Sequence, residues 1–446
     1  MLKIHFIGIG GSGMNPLARI SLEKGFAVSG SDIKMNKKIK KLISMGADIK
    51  IGHDKNNIPD DINLVVYSNA IDNQNIELKT AQKMGISIKT RAGLLKELFQ
   101  EKEEIVIVGS HGKTTTTGMA ASVLEKLEKD DSSYYIGGIL KNSNKNGKYG
   151  KGKYAVVELD ESDGSFLYFK KNYAIIPNIE LEHVDYYKNE KEYFLKFAEF
   201  INNFEGKIFI ETGSYDKIKE NIENSDNVIK IGLESGDLTP DSYDNSGFIS
   251  GNISVKLPDS GEYNILNSFF VYCVFDYLDI DKNIIKNGLE SFKGVKRRKD
   301  IIYKSENIVL IDDYGHHPTE IKKTFDNIIQ SFDMKNFILL FQPHRYTRFK
   351  YFYEEFKEYF KKGDYELIIY PIYSASEKEK KNISSYRLYR ELKKGGRKNI
   401  YYAESLAEGL LLLKSIIKKE TVVVSFGAGD INSVLKNFRK RCLEKK

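Results

Sequence analysis

At 446 residues the chain has the length for roughly three domains. Its 41% hydrophobic and 29% charged content suits sizeable cores in a soluble protein, and with Gly and Pro not in excess long disordered tracts are excluded. The net charge of +7 (69 basic against 62 acidic residues) is mild, and with no recognised nucleic-acid module present no nucleic-acid partner is expected.

Basic clusters such as Lys37-Lys38-Ile39-Lys40-Lys41 and Arg439-Lys440-Arg441 read as solvated faces. No run of about 18 apolar residues offers a membrane span. Met1 to His5 leads straight into a strand without a signal-peptide layout, so the cytoplasm is the expected compartment. Cys273 and Cys442 lie far apart and outside any CxxC pattern, which predicts neither a disulfide framework nor a zinc site.

The first predicted strand, Lys3 to Ile7, runs into Gly8-Ile9-Gly10-Gly11-Ser12-Gly13-Met14 and a helical pattern to Lys24. Gly8, Gly10 and Gly13 have the GxGxxG spacing, and a second short strand, Ala27 to Ser29, leads to Asp32. This is the Rossmann fingerprint: a pyrophosphate at a helix N-terminus and an acid near a ribose. A dinucleotide satisfies it, and so does a UDP-sugar. Strands follow at Leu64 to Tyr67, ending in Ser68-Asn69-Ala70, and at Ile86 to Ile88 before Arg91. Arg91 reads as either a surface charge or an anion ligand.

A fresh α/β pattern begins near residue 100. The apolar run Ile105 to Val108 enters Gly109-Ser110-His111-Gly112-Lys113-Thr114-Thr115-Thr116-Thr117 and then a helical pattern with Met119, Val123, Leu124 and Leu127. Strand, glycine turn and helix form the setting in which backbone N–H groups and a helix dipole cradle phosphate. Lys113 would reach the β/γ-phosphates, and the Thr114 hydroxyl would ligate Mg²⁺. Only two residues separate Gly109 from Gly112, where the usual phosphate loop has four. The threonine run favours nucleoside triphosphate binding over a chance turn, because β-branched residues start helices poorly unless their hydroxyls are used.

Tyr154 to Val157 is a strand running into Glu158-Leu159-Asp160-Glu161-Ser162-Asp163, four carboxylates where open α/β sheets place ligand-binding groups. Tyr173 to Ile176 is another, ending in Pro177-Asn178-Ile179-Glu180-Leu181-Glu182-His183-Val184-Asp185. His183 reads as a metal ligand or a structural histidine. An amphipathic helix and a strand, Lys207 to Ile210, follow, and 225–260 reads as short strands and polar turns. Asn264 and Asn267 open a helix through Leu278, where they would cap it or touch a base.

Ser291 to Arg298 reads as the end of this domain. A third α/β segment starts with Ile308 to Ile311, then Asp312-Asp313-Tyr314-Gly315-His316-His317-Pro318-Thr319-Glu320, with Pro318 suited to a first helical turn. Phe337 to Phe341 ends in Gln342-Pro343-His344-Arg345-Tyr346-Thr347-Arg348. Strands at Leu367 to Tyr370 and Thr421 to Ser425 follow, the last entering Gly427-Ala428-Gly429-Asp430. The βαβα alternation points to a parallel sheet.

Five of the seven histidines (His111, His183, His316, His317 and His344) fall at strand-to-helix turns. The simplest joint reading is an active site between domains that binds ATP, a metal and two acidic substrates, with mobile domains closing over a reactive intermediate. From Ile7 to about Ile431 the chain resembles the Mur ligase family, on GIGGSGM, GSHGKTTTT, ELDESDGSF, NIELEHVD, the Asn264/Asn267 pair, KRRKD, DDYGHHPTE, FQPHRYTR and GAGDI. The short phosphate loop is a habit of that family.

The resemblance implies an α/β chain of three domains, each with a largely parallel sheet. These are a Rossmann-like UDP-sugar domain (1–98), a P-loop-type central ATPase (99–298) and a Rossmann-like amino-acid domain (299–446). It implies an ATP-dependent ligase joining L-alanine to the carboxylate of UDP-N-acetylmuramate through an acyl phosphate, in peptidoglycan precursor synthesis. The cofactors implied are ATP and Mg²⁺, or Mn²⁺ in its place, in a monomer or weak homodimer that binds neither nucleic acid nor membrane.

Carried over by position, Gly109, Ser110, His111, Gly112, Lys113, Thr114 and Thr115 would serve the ATP phosphates. Thr114, Glu158 and His183 would hold the metal, and Asn264, Asn267, Arg298 and Asp313 the rest of the nucleotide. Gly8, Gly10, Gly11, Ser12, Gly13, Asp32, Ser68 and Arg91 would bind the UDP-sugar. His344, Arg345 and Arg348 would surround the amino acid, where arginine grips a carboxylate bidentately, with His344 the candidate base for its ammonium. The chain departs from the family pattern at Gly93, Ser110, Leu159, Leu181, Glu182 and Lys299, none of which removes a group expected to touch nucleotide or metal.

Three other readings stand beside this one. A recycling ligase that adds a peptide to the same UDP-sugar shares the central motifs. A NAD-dependent dehydrogenase explains the first glycine loop but leaves Lys113 to Thr117 without a role. A non-catalytic nucleotide-binding scaffold would have no need of Lys113, Glu158 and His183.

Overall fold

The computed structural model describes residues 1–68, 71–184, 186–258, 261–375, 377–380 and 382–444. Asn69, Ala70 and Asp185 of the motifs above lie outside the described residues. The chain forms two compact units, Met1–Glu182 with Glu190–Lys293, and His183–Asn189 with Gly294–Lys446.

The first unit holds two large sheets. Strands β1 (Lys3–Ile7), β2 (Ala27–Asp32), β3 (Asp48–Ile51), β4 (Leu64–Tyr67) and β5 (Ser87–Thr90) pair in the order β3-β2-β1-β4-β5, all parallel. Near-continuous apolar runs such as Ile4 to Ile7 suit strands covered on both faces. The order reverses between β1 and β4, so the loops after them flank the crevice where such sheets take ligands.

The second sheet has the order β12-β11-β10-β6-β9-β7-β8. Its strands are β6 (Glu103–Ile107), β7 (Ser133–Leu140), β8 (Lys145–Lys148), β9 (Tyr154–Glu158), β10 (Tyr173–Ile176), β11 (Lys207–Glu211) and β12 (Val228–Ile231). Only β8 runs antiparallel to its neighbour. Because β6 lies between β10 and β9, the phosphate loop, the acidic run and the NIELEH run leave three adjacent strand ends. A small antiparallel sheet, β13 (Ser242–Asp244), β14 (Gly247–Ser250) and β15 (Ile253–Lys256), completes the unit.

In the second unit, β16 (Asp300–Lys304), β17 (Ile308–Asp313), β18 (Asn336–Phe341), β19 (Glu366–Ile369), β20 (Ile400–Tyr402) and β21 (Thr421–Phe426) pair in the order β16-β17-β21-β18-β19-β20. All pairs are parallel except β16 with β17. Alternate residues feed two cores: Val309, Ile311, Leu339, Phe341 and Val424 on one face, and Leu310, Ile338, Leu340 and Val423 on the other. β17, β21 and β18 are neighbours, so the DDYGHHP, GAGD and QPHRYTR loops leave one edge together. No helix among the described residues is long and apolar enough to cross a membrane.

The α/β class with largely parallel sheets is the one expected. Strands β3, β7, β8, β16 and β20 were not foreseen. β3 and β20 are only four and three residues long, and the glycine pair Gly137-Gly138 and a register shift between Tyr135 and Leu140 blur β7.

Candidate active site

The phosphate loop is built on two left-handed glycines. Gly109 has φ +143° and Gly112 φ +79°, and a Cβ on Gly109 would meet Asn178 O at 2.7 Å. Asn178, from the loop after β10, braces the turn from outside: its Oδ1 accepts from His111 N (2.8 Å) and its Nδ2 donates to His111 O (2.7 Å). The Ser110 hydroxyl donates to Glu180 O at 2.5 Å, accepts from Glu180 N at 2.8 Å and lies 2.8 Å from Tyr193 Oη. His111 Nε2 lies 3.4 Å from Glu180 Oε2. Ser110 and His111 therefore shape the loop from within the protein.

The helix Lys113–Leu127 starts with its threonines engaged. Thr116 and Thr117 donate back to Gly112 O (3.1 Å) and Lys113 O (2.8 Å), so both hydroxyls are satisfied within the helix. Thr115 is half-buried. Thr114 Oγ1 donates to Glu158 Oε1 at 2.7 Å, and Glu158 Oε2 accepts from Gly137 N at 2.7 Å. A hydroxyl and a carboxylate side by side are hard oxygen donors of the kind Mg²⁺ takes, so this pair fits a divalent ion. Gly137 permits the approach, since a Cβ there would sit 2.7 Å from Glu158.

Lys113 Nζ donates to Gly109 O (2.5 Å) and Ser110 O (3.0 Å) and pairs with Glu161 at 2.8 Å. The Glu161 side chain is fully buried. Burial alone would lower the Lys113 pKa, but Glu161, with Asp160 and Glu158 beyond it, raises it, so the ammonium is held charged. Glu161 stands in the acidic run without a mark to single it out; only the fold turns it toward Lys113.

Asn267 is buried, its side chain 3.1–3.5 Å from the Cβ position of Gly112, and Asn264 is half-buried one turn earlier. The helix spans Glu262–Tyr277 with Gly261 as N-cap and no side-chain cap, so neither asparagine is the capping residue.

At the first sheet, the Gly8 and Ile9 amides donate to Ser31 O (2.9 and 3.0 Å) and Gly11 N to Gly8 O (3.1 Å). Asp32 Oδ2 accepts from Gly10 N at 2.8 Å, so this carboxylate is tied to the loop itself. Gly11 and Ser12 are exposed, and Gly13 is the N-cap of the helix Met14–Glu23 without a side-chain cap. A Cβ on Gly13 would meet Arg91 at 2.7–2.8 Å and Tyr135 Oη at 3.2 Å. Arg91 pairs with Asp160 at 2.8 Å, and Tyr135 donates to Gly13 O at 3.2 Å. Arg91 is therefore placed over an open helix N-terminus. Ser68 follows β4, its Cβ 3.7 Å from the Cβ position of Gly8.

The second unit brings its own set together. His183 has φ +52° and receives Tyr186 N and Tyr187 N at its carbonyl (2.8 and 3.0 Å), and the next residue, Val184, packs against that unit's core. Asp313, at the end of β17, is buried and accepts from Lys299 N (2.7 Å) and Gly315 N (2.6 Å). Burial raises its carboxyl to about 6 against the pull of Arg298 and these amides. Arg298 lies over the Tyr314 ring and 3.6 Å from Glu320. His317 is the N-cap of the helix Pro318–Ser331, accepting from Thr319 N at 3.3 Å, with Pro318 in the first turn as expected.

His316 and His344 stand 5.6 Å apart between ring centres, and His344 stacks on Tyr373 at 5.7 Å and 9°. Arg348 is buried against His344, at 3.2 Å. Arg345 opens the helix Tyr346–Tyr351 with φ +67°, held by Arg345 N donating to Tyr373 O at 2.9 Å. The glycine turn at Gly427 is closed by Gln342, whose Oε1 accepts from Asp430 N (3.1 Å) and Ile431 N (3.2 Å). A side-chain amide thus stands where a phosphate would otherwise meet those amides.

Three family models match: the Mur ligase family catalytic domain over residues 3–103, the Mur ligase middle domain over 107–275, and the Mur ligase glutamate ligase domain over 297–429. The chain is 39% identical over 455 residues to the UDP-N-acetylmuramate–L-alanine ligase of Sulfurihydrogenibium sp., covering 99% of this chain and 98% of that protein. The crystal structure of the UDP-N-acetylmuramate–alanine ligase of Thermotoga maritima is similar with a TM-score of 0.83 at 28% identity, over 100% of both chains. A murein peptide ligase from Psychrobacter arcticus shares the fold, with a TM-score of 0.70 at 20% identity over 99% of this chain and 98% of that one. Matched in all three domain types and related along nearly its whole length, the chain belongs to the Mur ligase family.

Proposed function

We propose that this chain joins L-alanine to the carboxylate of UDP-N-acetylmuramate, converting ATP to ADP and phosphate, in cytoplasmic peptidoglycan precursor synthesis. The observation that carries the reading is the start of the helix Lys113–Leu127, where a half-buried, charged lysine stands beside the Thr114–Glu158 pair. The full-length likeness to alanine ligases supports the choice of substrates.

The proposed division is 1–98 for the UDP-sugar, 99–298 for ATP and 299–446 for the amino acid, in a monomer or weak homodimer. Thr114 and Glu158 would hold Mg²⁺, or Mn²⁺ in its place, with His183 as the third ligand carried over from the family pattern. When bound, the ion would offset the repulsion between the triphosphate and the attacking carboxylate.

A free carboxylate acylates poorly because hydroxide leaves badly. One carboxylate oxygen attacks the γ-phosphorus, the bridging P–O bond breaks, and ADP departs with its electron pair. Lys113, leaving Glu161 and the loop carbonyls, neutralises charge on the moving phosphoryl group. Gly109 to Thr115 cradle the phosphates, and Asn264, Asn267, Arg298 and Asp313 hold the rest of the nucleotide. Arg345 and Arg348 grip the carboxylate of alanine while its amine attacks the acyl phosphate. The C–N bond forms, phosphate leaves, and the amine's proton goes to solvent or a base. Gly8 to Gly13, Asp32, Ser68 and Arg91 keep the UDP-sugar in place.

The test is phosphate release with UDP-N-acetylmuramate across alanine, glycine, serine and a tripeptide. Release dependent on alanine is expected. Release with the tripeptide alone would make the chain a recycling ligase, and absence of release with every one of these acceptors would revive the scaffold reading.

A further inference from the structure

The two histidines outside the expected site, His5 and His53, flank one carboxylate, Glu77. His5 and Glu77 are fully buried, with His5 Nε2 3.4 Å from Glu77 Oε2 and His53 Nδ1 3.4 Å from Oε1. Oε2 also accepts from Ser31 Oγ at 2.5 Å, and Oε1 from Asn57 Nδ2 at 2.6 Å and Asp54 N at 3.2 Å. On the far side of His5, Nδ1 meets Ser29 Oγ at 2.9 Å. Burial pushes the Glu77 carboxyl up, but hydrogen bonds from His5, Ser31 and Asn57 outweigh it and hold it at about 2.

A buried anion is costly unless its lone pairs are met, and an apolar side chain would fill the space more cheaply. The placement of Ser31 gives this one a use. Its hydroxyl serves Glu77 while its carbonyl takes the amides of Gly8 and Ile9, and the next residue, Asp32, takes the amide of Gly10. Two successive residues at the end of β2 thus fix three successive amides of the glycine loop. With the Gly11 amide donating to Gly8 O, the turn at Ser12 and Gly13, ahead of a helix without a side-chain cap, is what remains to face a ligand.

We propose that Glu77 is a positioning residue for the diphosphate of the UDP-sugar, holding the glycine loop in its anion-accepting shape through Ser31. The proposal rests on the reading of that loop as the UDP-sugar site. It makes Glu77 specific to one substrate: ATP, held by a different sheet, does not depend on it.

Titration calorimetry on the full chain, with UDP-N-acetylmuramate and separately with a non-hydrolysable ATP analogue, tests this. Glu77→Gln and Ser31→Ala each weaken binding of the UDP-sugar about tenfold or more, because a loop no longer held in its anion-accepting shape must be ordered on binding. Both leave the affinity for the ATP analogue, and kcat at saturating UDP-sugar, within about twofold. Ser29→Ala, which alters the network without touching the loop's support, keeps wild-type affinity. Unchanged UDP-sugar binding in folded Glu77→Gln and Ser31→Ala overturns the proposal, as does an equal loss for both ligands, which marks a merely structural network. If Glu77→Gln does not fold, Ser31→Ala decides alone. Failure of the wild-type chain to bind UDP-N-acetylmuramate overturns instead the reading of the site.

Discussion

Arg348 donates a guanidinium N–H to Nδ1 of His344 across 3.2 Å. A guanidinium has no lone pair to offer, so Nδ1 is the acceptor, and in the neutral ring the proton sits on Nε2. That arrangement suits His344 to donating a hydrogen bond from Nε2 better than to taking a proton from the alanine ammonium. His344→Gln, whose amide can donate from a similar place, is expected to keep activity within about tenfold, while His344→Ala loses on the order of 10²-fold in kcat/KM for alanine. Steady-state rates of the two variants check this, and equal losses would return the histidine to the role of base.

Lys113→Ala removes the ammonium placed among the loop carbonyls and Glu161. Turnover is expected to fall by at least about 10²–10³. Binding of UDP-N-acetylmuramate, measured by calorimetry, should stay at the wild-type level because its loop belongs to another sheet. Near-normal ATP-dependent ligation by this variant would remove the basis of the phosphate-loop assignment.

Glu161→Gln probes the other half of that pair. With the carboxylate gone, the half-buried Lys113 loses its nearest anion, and breaking a pair with one side fully buried costs up to about 3–5 kcal/mol. The melting temperature of the ligand-free variant should therefore drop by several degrees. Saturating ATP analogue with Mg²⁺ supplies a substitute anion and should close much of the gap. A deficit that is the same with and without the nucleotide would show that Lys113 does not trade Glu161 for phosphate.

Glu104 gives a pH prediction away from the site. It is 3% exposed, and burial, against weak opposition from Lys171 and Lys96, raises its carboxyl to about 7 from 4.5. The native state therefore binds this proton more tightly than the unfolded chain. The stabilisation is complete below pH 4.5 and is lost as pH rises through about 7, a change on the order of 3 kcal/mol. Glu104→Gln should flatten that part of the profile and melt higher than wild type at pH 8, as thermal denaturation across pH 4 to 8 would reveal.

The motifs of the central module were readable because strand, glycine turn and helix are consecutive, so the chemistry of Lys113 and Thr114 is local. What brings Glu158 and Asn178 to that turn is the order β10-β6-β9, and strand order is not written in any short stretch. Asn178 and Glu161 were therefore visible as residues of a motif but not as partners of His111 and Lys113. The same holds for Ser110 and Asp32. Both match ligand positions by spacing, and the structure adds partners that spacing does not show: Glu180 for Ser110 and Gly10 for Asp32. His5 and Glu77 could not be paired in advance, since 72 positions separate them and an isolated histidine on a strand reads as core. Strands β3 and β20 were too short for alternation to register.

The backbone at Arg345, at φ +67° and ψ 136°, occupies territory that glycine enters freely and other residues enter at about 1–3 kcal/mol. Directed evolution of this chain for heat resistance alone would be drawn to Arg345→Gly and would enrich robust proteins stripped of a guanidinium next to His344. With Arg345 gripping alanine as proposed, thermal endurance and turnover pull in opposite directions at this position, and a screen that reads only endurance would select against the proposed activity.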